Sequence, residues 1–246
     1  MTHHGSNDLV IVVPALNCEA DIEKTIRELL PVVRQAGIPF EIVAVNDGSS
    51  DRTGAIMDRL AGEISGIKVI HHALCQGVGQ SFAEILRATE APYITLIPGD
   101  NAFRAASLAA VFASTGHYEL IVSYRVNREA RTLRRALMTG LMCRSLNLLF
   151  GLDLHDYSSV VVYPVGRLRG LRLASQGYTY QTEAVISLNK QGCSVKQVPV
   201  ELNPESPGRS RAFNFKVMRL FALTAMRLFF RYQLGGRGDD LSRAPK

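Results

Sequence analysis

The chain has 246 residues, of which 47% are hydrophobic, and this length can bury the core of one large α/β domain. Its four cysteines stand far apart without a CxxC pair, which argues against a zinc ribbon or a disulfide scaffold and favours a reducing cytosol. Residues 1–8 lack the apolar segment of a secretory signal, and no run of about 18 uncharged apolar residues predicts a transmembrane helix.

The first hundred residues alternate short apolar runs with helical patterns. We predict strands at Leu9–Val13 (ended by Pro14), Phe40–Val45, Lys68–His71 and Tyr93–Ile97, and helices at Cys18–Ala36, Thr53–Ile64 and from Gln76-Gly-Val-Gly79 through Ala88. This alternation predicts a mainly parallel sheet with helices on both faces. Ligands bind beyond the carboxyl ends of such strands. The polar candidates there are Asn17, Glu19, Asp47 to Asp51, Asp100 and Asn101.

The second half is less regular. It predicts a basic helix at Ala130–Phe150, a strand at Val160–Tyr163, a helix at Glu183–Gln191, a strand at Ser194–Leu202, a loop at Asn203–Ser210 and a final helix at Asn214–Tyr232. Residues 1–8 and 234–246 are polar ends that we expect to be disordered.

Charge is divided unevenly between the halves. Residues 1–103 carry 7 basic and 13 acidic residues, whereas residues 104–246 carry 21 and 9. The imbalance either only aids solubility or marks a second half that meets phosphates, a nucleic acid or a membrane surface. Charge alone does not choose between these interpretations.

Two common nucleotide-binding motifs are absent. The first strand is followed by Pro14-Ala-Leu-Asn-Cys-Glu19 without a glycine, which argues against a nicotinamide dehydrogenase. No GxxxxGK[ST] segment exists, which excludes a P-loop.

Four segments instead resemble the ordered motifs of family 2 glycosyltransferases with the GT-A fold. They are Val12-Val-Pro-Ala-Leu-Asn-Cys-Glu19, Val45-Asn-Asp-Gly-Ser-Ser-Asp51, Gly77-Val-Gly79 and Tyr93-Ile-Thr-Leu-Ile-Pro-Gly-Asp100. The resemblance runs from about residue 9 to 211 and implies a nucleotide-sugar half at 9–103, an acceptor half at 104–211 and an amphipathic helix at 212–233. Within the family, the second half resembles most the polyprenyl-phosphate (dolichol-phosphate-type) sugar transferases. The matching pieces are an Arg-rich helical stretch, Asp156-Tyr-Ser-Ser, Gln181-Thr-Glu183 and Pro207-Gly-Arg-Ser-Arg211.

The resemblance implies roles for residues after the strands. It places Asp47 against the uracil or guanine ring, in a nucleoside pocket with Pro14, Leu16, Asn17, Glu19, Ser49 and Gly77. Asp51 is either part of this site or only a helix N-cap. The glycines at 77 and 79 are either part of the site or only a tight turn into a helix.

Asp100 resembles the last carboxylate of the family's DxD motif, which holds Mg²⁺ or Mn²⁺ on the diphosphate. Pro98 replaces the first carboxylate of that motif, so diphosphate oxygens, water and Asn101 would have to supply the other ligands of the cation. Cys75 is a second departure, because the family often has Asn before the Gly-x-Gly segment.

The acceptor decides whether a catalytic base is needed. A hydroxyl must lose its proton, whereas a phosphate monoester is already an anion. Glu183 and Asp156 are the candidate bases or acceptor-orienting residues, although Glu183 is otherwise only a favourable first-turn helix charge. Arg209 and Arg211 would clamp the diphosphate or the lipid phosphate. Glu205 stands where the family's loop has an arginine.

The final helix favours contact with a membrane. Lys216, Arg219, Arg227 and Arg231 fall on one side, with Met218, Phe221, Ala222, Ala225, Leu228, Phe229 and Tyr232 opposite, while Leu223 and Phe230 lie among the basic residues. Such a helix either lies on an anionic bilayer or packs on the sheet with its arginines at the surface. Arg131, Arg134, Arg135 and Arg144 make the helix at 130–150 similar.

The resemblance implies inverting transfer from a UDP- or GDP-sugar to a polyprenyl phosphate, at the cytoplasmic face of the membrane and without spanning it. One alternative is a family 2 transferase that glycosylates a saccharide or small-molecule hydroxyl. Another is an inactive nucleotide-sugar or nucleic-acid binding protein, which Pro98 and Cys75 favour. For an active enzyme we expect no nucleic-acid partner, and a homodimer is left open.

Overall fold

The structure is a computed structural model that describes residues 7–127, 133–171, 179–205 and 215–234. The strands are β1 (Leu9–Ala15), β2 (Phe40–Asn46), β3 (Ile67–His71), β4 (Tyr93–Leu96), β5 (Leu120–Arg125), β6 (Val161–Pro164) and β7 (Val195–Val200). The helices are α1 (Ile22–Gln35), α2 (Thr53–Glu63), α3 (Val78–Ala88), α4 (Ala109–Ala113), α5 (Leu133–Phe150), α6 (Val165–Arg169), α7 (Tyr180–Lys190) and α8 (Phe215–Phe229). A 3-10 turn (Ala105–Leu108) precedes α4, and a π-helical turn (Phe230–Leu234) follows α8.

The seven strands form one sheet in the order β3-β2-β1-β4-β6-β5-β7. Strand β6 runs antiparallel to both of its neighbours, β4 and β5, and the remaining pairs are parallel. The prediction of a mainly parallel α/β sheet is therefore confirmed. Because the sheet is continuous, it joins the two halves of the chain into one framework.

Alternate residues of β1 face two separate cores, as strand geometry requires. Leu9, Ile11 and Val13 pack with α1, α2 and α4, whereas Val10 and Val12 pack with α3, α5, α7 and α8. Helices therefore cover both faces of the sheet, as predicted.

Strand β1 does not end at Pro14, so that prediction is wrong. Pro14 and Ala15 continue in register beside Val45 and Asn46 of β2. The carbonyl of Pro14 faces the other neighbour and accepts the N–H of Gly99 at 3.0 Å. Because β1 pairs with β4 only as far as Val12, the missing N–H of Pro14 costs no bond of that ladder.

Several other boundaries differ from the prediction. Helix α1 begins at Ile22 rather than Cys18, because residues 17–19 are hydrogen-bonded to the loop after β2. Helix α7 begins at Tyr180 rather than Glu183. Strand β5 and helices α4 and α6 were not predicted. Of the ends predicted to be disordered, 1–8 and 234–246, residues 1–6 and 235–246 lie outside the described residues, as does most of the predicted loop at 203–210. For Asp8 and Leu234 the prediction is wrong, because Asp8 is hydrogen-bonded to Pro39 and Tyr93 and Leu234 ends the π-helical turn.

None of the helices in the described ranges combines the length and the apolar character needed to cross a bilayer.

Candidate functional site

The carboxyl ends of β1, β2 and β4 meet at one edge of the sheet. The N–H of Asp47 donates to the carbonyl of Ala15 at 2.9 Å, and the N–H of Gly99 donates to that of Pro14. The end of β1 therefore lies between the segments that carry Asp47 and Asp100. The antiparallel strand β6 begins at this same edge, which adds residues 156–160 to it.

The loops after β1 and β2 hold each other by reciprocal hydrogen bonds. Asn17, whose φ is +53°, donates its N–H to the Ser49 hydroxyl at 3.0 Å and accepts the N–H of Ser50 at 2.9 Å. Glu19 accepts the N–H of Arg52 at 3.1 Å. The predicted nucleoside residues Asn17, Glu19 and Ser49 are therefore adjacent, while Leu16 is 43% exposed beside them.

Asp51 fixes the start of α2. Its Oδ1 accepts the N–H of Thr53 at 3.0 Å and the Thr53 hydroxyl at 2.5 Å, and its Oδ2 accepts the N–H of Glu19 at 3.2 Å. Burial alone would raise the pKa of Asp51, but these hydrogen bonds outweigh it and lower the pKa. The N-cap residue of α2 is Arg52, so Asp51 lies one position before the predicted N-cap and supports the start of the helix through Thr53.

Asp47 is 3% exposed and receives four hydrogen bonds. Its Oδ1 accepts from Nδ1 of His72 and from the N–H of Gln76, both at 2.8 Å. Its Oδ2 accepts from the N–H of Gly77 at 2.8 Å and from the thiol of Cys75 at 3.3 Å. Burial would raise the pKa of Asp47, but these donors lower it, so the group is an anion at neutral pH. A nucleobase that binds here must displace a donor, and the thiol is the weakest of the four.

The backbone of this site requires glycine at two positions. Gly48 has φ +76°, and a Cβ there would lie 2.7 Å from the N atom of Cys75 and 2.8 Å from the carbonyl carbon of Leu74. Gly77 has φ +88° immediately before α3, which supports the tight-turn role of that glycine.

Asp100 carries a buried oxygen without a donor. Its Oδ1 is inaccessible to solvent and has no hydrogen-bond partner in the described part of the chain. Burial raises the pKa of Asp100, and backbone N–H groups offset this only in part. Asn101, at φ +50°, also has a buried amide nitrogen for which the described residues offer no hydrogen-bond partner.

Asp100 can bind a divalent cation, but the protein supplies few of the ligands. Within the described ranges no group of three or more His, Cys, Asp or Glu side chains could hold a metal. Mg²⁺ and Mn²⁺ can bind through one carboxylate when phosphate oxygens and water complete the coordination. An acceptor-only oxygen that lacks donors suits such a cation.

Asp156 lies in a buried ion pair rather than on an open surface. Its two oxygens accept from Nε and Nη2 of Arg125 at 2.7 and 2.9 Å, and Oδ1 also accepts the N–H of Ser158 at 2.9 Å. The side chains of Arg125 and Asp156 are 11% and 5% exposed. A catalytic role for Asp156 stays a prediction, and it would require this pair to open.

Glu183 lies in the first turn of α7 and is 3% exposed. Its Oε1 is 3.7 Å from Nη1 of Arg231, in the π-helical turn after α8. The end of the last helix therefore reaches the element that carries this candidate base. Arg209 and Arg211 lie outside the described residues, whereas Glu205 is described and pairs with Lys24 of α1 at 3.1 Å.

A cavity of about 80 Å³ brings motifs of both halves together. Pro98 and Phe103 line it from the first half, and Ser158, Ser159 and Gln181 line it from the second. Gln181 donates to the carbonyl of Ser159, which joins α7 to the segment before β6. The three segments Pro98-Gly-Asp100, Asp156-Tyr-Ser-Ser and Gln181-Thr-Glu183 therefore meet at one place.

Helices α5 and α8 turn apolar side chains outwards. Helix α5 buries Cys143, Leu146 and Phe150, whereas its exposed stripe is formed by Leu137, Leu141, Arg144 and Leu148. Helix α8 packs Ala225, Leu228 and Phe229 on the core, so the packed alternative is confirmed for that side. The outward face of α8, with its π-helical turn, is formed by Arg219, Leu220, Met226, Arg227 and Phe230.

Sequence reasoning missed His72 and Arg125, although both follow the rule applied elsewhere. His72 directly follows β3 and Arg125 ends β5, so both stand at carboxyl ends of strands. The pair His71-His72 after an apolar run was the available signal for the first. The apolar run at Leu120–Val122 was the signal for the second.

Comparisons with known proteins identify relatives of the first half of the chain. Residues 10–125 match the model of the family described as Glycosyl transferase family 2. An undecaprenyl-phosphate 4-deoxy-4-formamido-L-arabinose transferase of Pseudomonas paraeruginosa (strain DSM 24068 / PA7) is 28% identical over 165 residues, 63% of this chain and 46% of that protein. The uncharacterized glycosyltransferase EpsJ of Bacillus subtilis (strain 168) is 37% identical over 91 residues, 37% of this chain and 25% of that protein. The chain thus matches less than half the length of these curated relatives.

Among solved structures, glucosyl-3-phosphoglycerate synthase from Mycobacterium tuberculosis in complex with Mn²⁺, UDP-glucose and phosphoglyceric acid superposes with a TM-score of 0.65. The match covers 89% of this chain and 80% of that one at 19% identity. At this low identity the superposition shows a common fold and nothing more. The expected GT-A fold is confirmed.

Proposed function

We propose that this chain, whose residues 10–125 match the model of glycosyl transferase family 2, moves a sugar, with inversion, from a UDP- or GDP-sugar to a polyprenyl phosphate. Its class as a glycosyltransferase follows from the family and from the relatives. The observation that carries the proposal is Asp100, whose buried Oδ1 has no donor among the described residues. Pro98 of the same segment lines the cavity where motifs of both halves meet.

The donor would bind along the ends of β1 and β2. Asp47 would face the base by exchanging the Cys75 thiol for a ring N–H. Pro14, Leu16, Asn17, Glu19, Ser49 and Gly77 would line the nucleoside pocket. The reciprocal hydrogen bonds between the two loops support this assignment, because they hold the pocket in place before the ligand arrives.

Asp100 would hold Mg²⁺ or Mn²⁺ together with the diphosphate oxygens. When bound, the cation would offset the negative charge that develops on the leaving nucleoside diphosphate. Support comes from the unpaired oxygen of Asp100 and from the fold neighbour that binds Mn²⁺ with UDP-glucose.

The acceptor proposal starts from two relatives that are undecaprenyl-phosphate 4-deoxy-4-formamido-L-arabinose transferases. A phosphate monoester is an anion at neutral pH and needs positioning more than deprotonation. That requirement agrees with Asp156, which is tied to Arg125, and with Glu183, which is buried near Arg231. Arg209 and Arg211 remain the proposed phosphate ligands.

We further propose that the chain works at the cytoplasmic face of the cell membrane as a peripheral protein. The exposed stripe of α5 and the outward face of α8 support this, since both combine exposed apolar side chains with arginine. Apolar side chains enter the headgroup region while arginines meet lipid phosphates.

A ligand panel and a transfer assay test the function together. We expect either uridine or guanosine diphosphates and their sugar nucleotides to raise the melting temperature, more so with Mn²⁺. Asp100→Asn should abolish the Mn²⁺-dependent part of that shift. Labelled sugar should then appear on polyprenyl phosphate in detergent micelles.

Glu183→Gln separates this function from its nearest alternative. Transfer to a hydroxyl needs a base, so the variant should lose most activity in that case, whereas transfer to a phosphate should fall only a fewfold. Transfer to soluble hydroxyl acceptors with none to lipid phosphate would overturn the proposal. Nucleotide-sugar binding without any turnover would favour the inactive binding protein.

A further inference from the structure

His72 occupies a buried position beside Asp47 that the proposed catalytic roles do not use. Its side chain is 5% exposed. Nδ1 lies 2.8 Å from Oδ1 of Asp47, and Nε2 lies 2.9 Å from Oε2 of Glu84 on α3. The ring therefore bridges the end of β2 and the middle of α3.

The partners of the ring fix its protonation. An ionised carboxylate only accepts hydrogen bonds, so a histidine between two carboxylates must donate from both nitrogens and is an imidazolium. Burial lowers the pKa of His72, but the hydrogen bonds to Asp47 and Glu84 outweigh it and raise the pKa above its ordinary value.

The ring also determines where the neighbouring loop lies. Asp47 receives the N–H groups of Gln76 and Gly77, and Gly77 directly precedes α3. His72 donates its own N–H to the carbonyl of Asn46 at 2.9 Å. His72 thus links the ends of β2 and β3, and Asp47, which the ring contacts, holds the turn before α3.

We propose that His72 is the positioning residue of the nucleoside site, where its imidazolium holds Asp47 and the turn before α3 in the geometry that receives the base. This inference rests on the donor-binding role proposed above. The charged and titratable groups around the ring are Asp47 after β2, Glu84 on α3 and the Cys75 thiol on the far oxygen of Asp47.

Loss of the proton has a definite consequence. The lone pair of Nε2 would then face the Glu84 carboxylate, and two negative charges would remain without a counter-charge. A site that must receive an anionic diphosphate would become more negative and less ordered. Donor affinity is therefore expected to fall as the pH rises through the pKa that His72 has in the folded protein.

Hydrogen exchange tests the positioning without any ligand. Protection factors of the Gln76 and Gly77 amides are measured from about pH 5.5 to 8.5, the range in which histidines lose their charge. We expect protection to fall as the pH rises in the wild type. In Glu84→Gln we expect the same protection at the acid end with the fall at lower pH, because the variant removes one carboxylate that favours the imidazolium.

Titration calorimetry with UDP-glucose and GDP-mannose tests the link to donor binding. In both compounds the diphosphate is esterified at each end, so the charge of the ligand does not change over this pH range. For the donor that binds, we expect the Kd to rise about fivefold across the same range, the low end of couplings between linked sites. His72→Asn keeps a donor for Asp47 without the charge and should show a Kd that is independent of pH.

His71→Gln is the matched control, since His71 is the adjacent histidine, pairs with Asp58 and is 44% exposed. It should keep the wild-type profile. A pH profile that survives in His72→Asn, or a midpoint that does not move in Glu84→Gln, overturns the inference. If the amides behave as expected but no nucleotide sugar binds, the positioning role stands and the proposed function fails.

Discussion

Gly48 is a residue at which two loops of the site come into close contact. Its φ is +76°, and an added Cβ would meet the backbone of Leu74 and Cys75 within 2.8 Å. We expect Gly48→Ala to lower the free energy of unfolding by about 2–3 kcal/mol, because backbone atoms must shift. Urea denaturation measures this loss. Nucleotide-sugar binding should weaken as well, since the displaced loop carries the amides that hold Asp47.

Gly37→Ala is the comparison for that variant. Gly37 has φ +71° but no atom within 4 Å of an added Cβ. Only the left-handed backbone is then penalised, by about 1 kcal/mol. An equal loss of unfolding free energy in the two variants would contradict the importance of the close contact between Gly48 and the backbone of residues 74 and 75. Unchanged nucleotide binding in Gly48→Ala would contradict it as well.

Single residues were predictable from the sequence only where a local rule applied. Asp47, Asp51 and Asp100 follow apolar strands, and that position alone selected them. The pairs His72–Asp47 and Arg125–Asp156 join residues 25 and 31 positions apart. Burial of a polar side chain depends on which segments meet, and periodicity within one segment does not contain that information.

At the scale of elements, the Arg125–Asp156 pair ties the end of β5 to the segment before β6. Asp156→Ala leaves a buried guanidinium without its partner, and we expect a loss of about 3 kcal/mol in the free energy of unfolding. Arg125→Leu combined with Asp156→Leu should recover part of that loss, because no charge then stays buried. Chemical denaturation of the single and double variants measures both effects.

An exposed ion pair provides the comparison for the buried one. Arg104 and Glu201 are 3.1 Å apart, with side chains 54% and 44% exposed. Water screens such a pair, so Glu201→Ala should cost less than about 1 kcal/mol. A similar small cost for Asp156→Ala would mean that the Arg125 pair is open to solvent.

The elements of the first half were easier to predict than those of the second. Strands β1, β2 and β4 are buried on both faces, so each reads as an apolar run that ends near Pro, Asn or Gly. After β5 the sequence continues with Val126, and no glycine or proline marks the end of the strand. Helix α5 shows leucines on all sides, because its outer stripe is apolar too, and its pattern predicted a helix but not which side is buried.

The whole molecule is expected to bind anionic membranes through α5 and α8. Vesicle sedimentation should show binding that rises with phosphatidylglycerol content and falls with salt. Leu141→Gln with Leu148→Gln should weaken vesicle binding about tenfold or more, since each buried leucine contributes about 1.5 kcal/mol or more of transfer free energy. The two side chains are 69% and 87% exposed, so folding should be unaffected.

Leu74→Gln provides the control, because Leu74 is 79% exposed but belongs to the loop between β3 and α3 and to neither helix of the proposed membrane surface. It should bind vesicles like the wild type. Equal weakening by Leu74→Gln would indicate a general effect of surface hydrophobicity. Unchanged binding in the double leucine variant would remove the stripe of α5 from the membrane surface.

The reversed strand β6 also constrains the order in which the chain can fold. In the sheet β6 lies between β4 and β5, although β5 precedes it in the sequence by more than thirty residues. During synthesis β5 therefore emerges before the strand that joins it to the finished half of the sheet. We expect β5, β6 and β7 to assemble late and together, and the slow phase of refolding to report the closure of β6 onto β4.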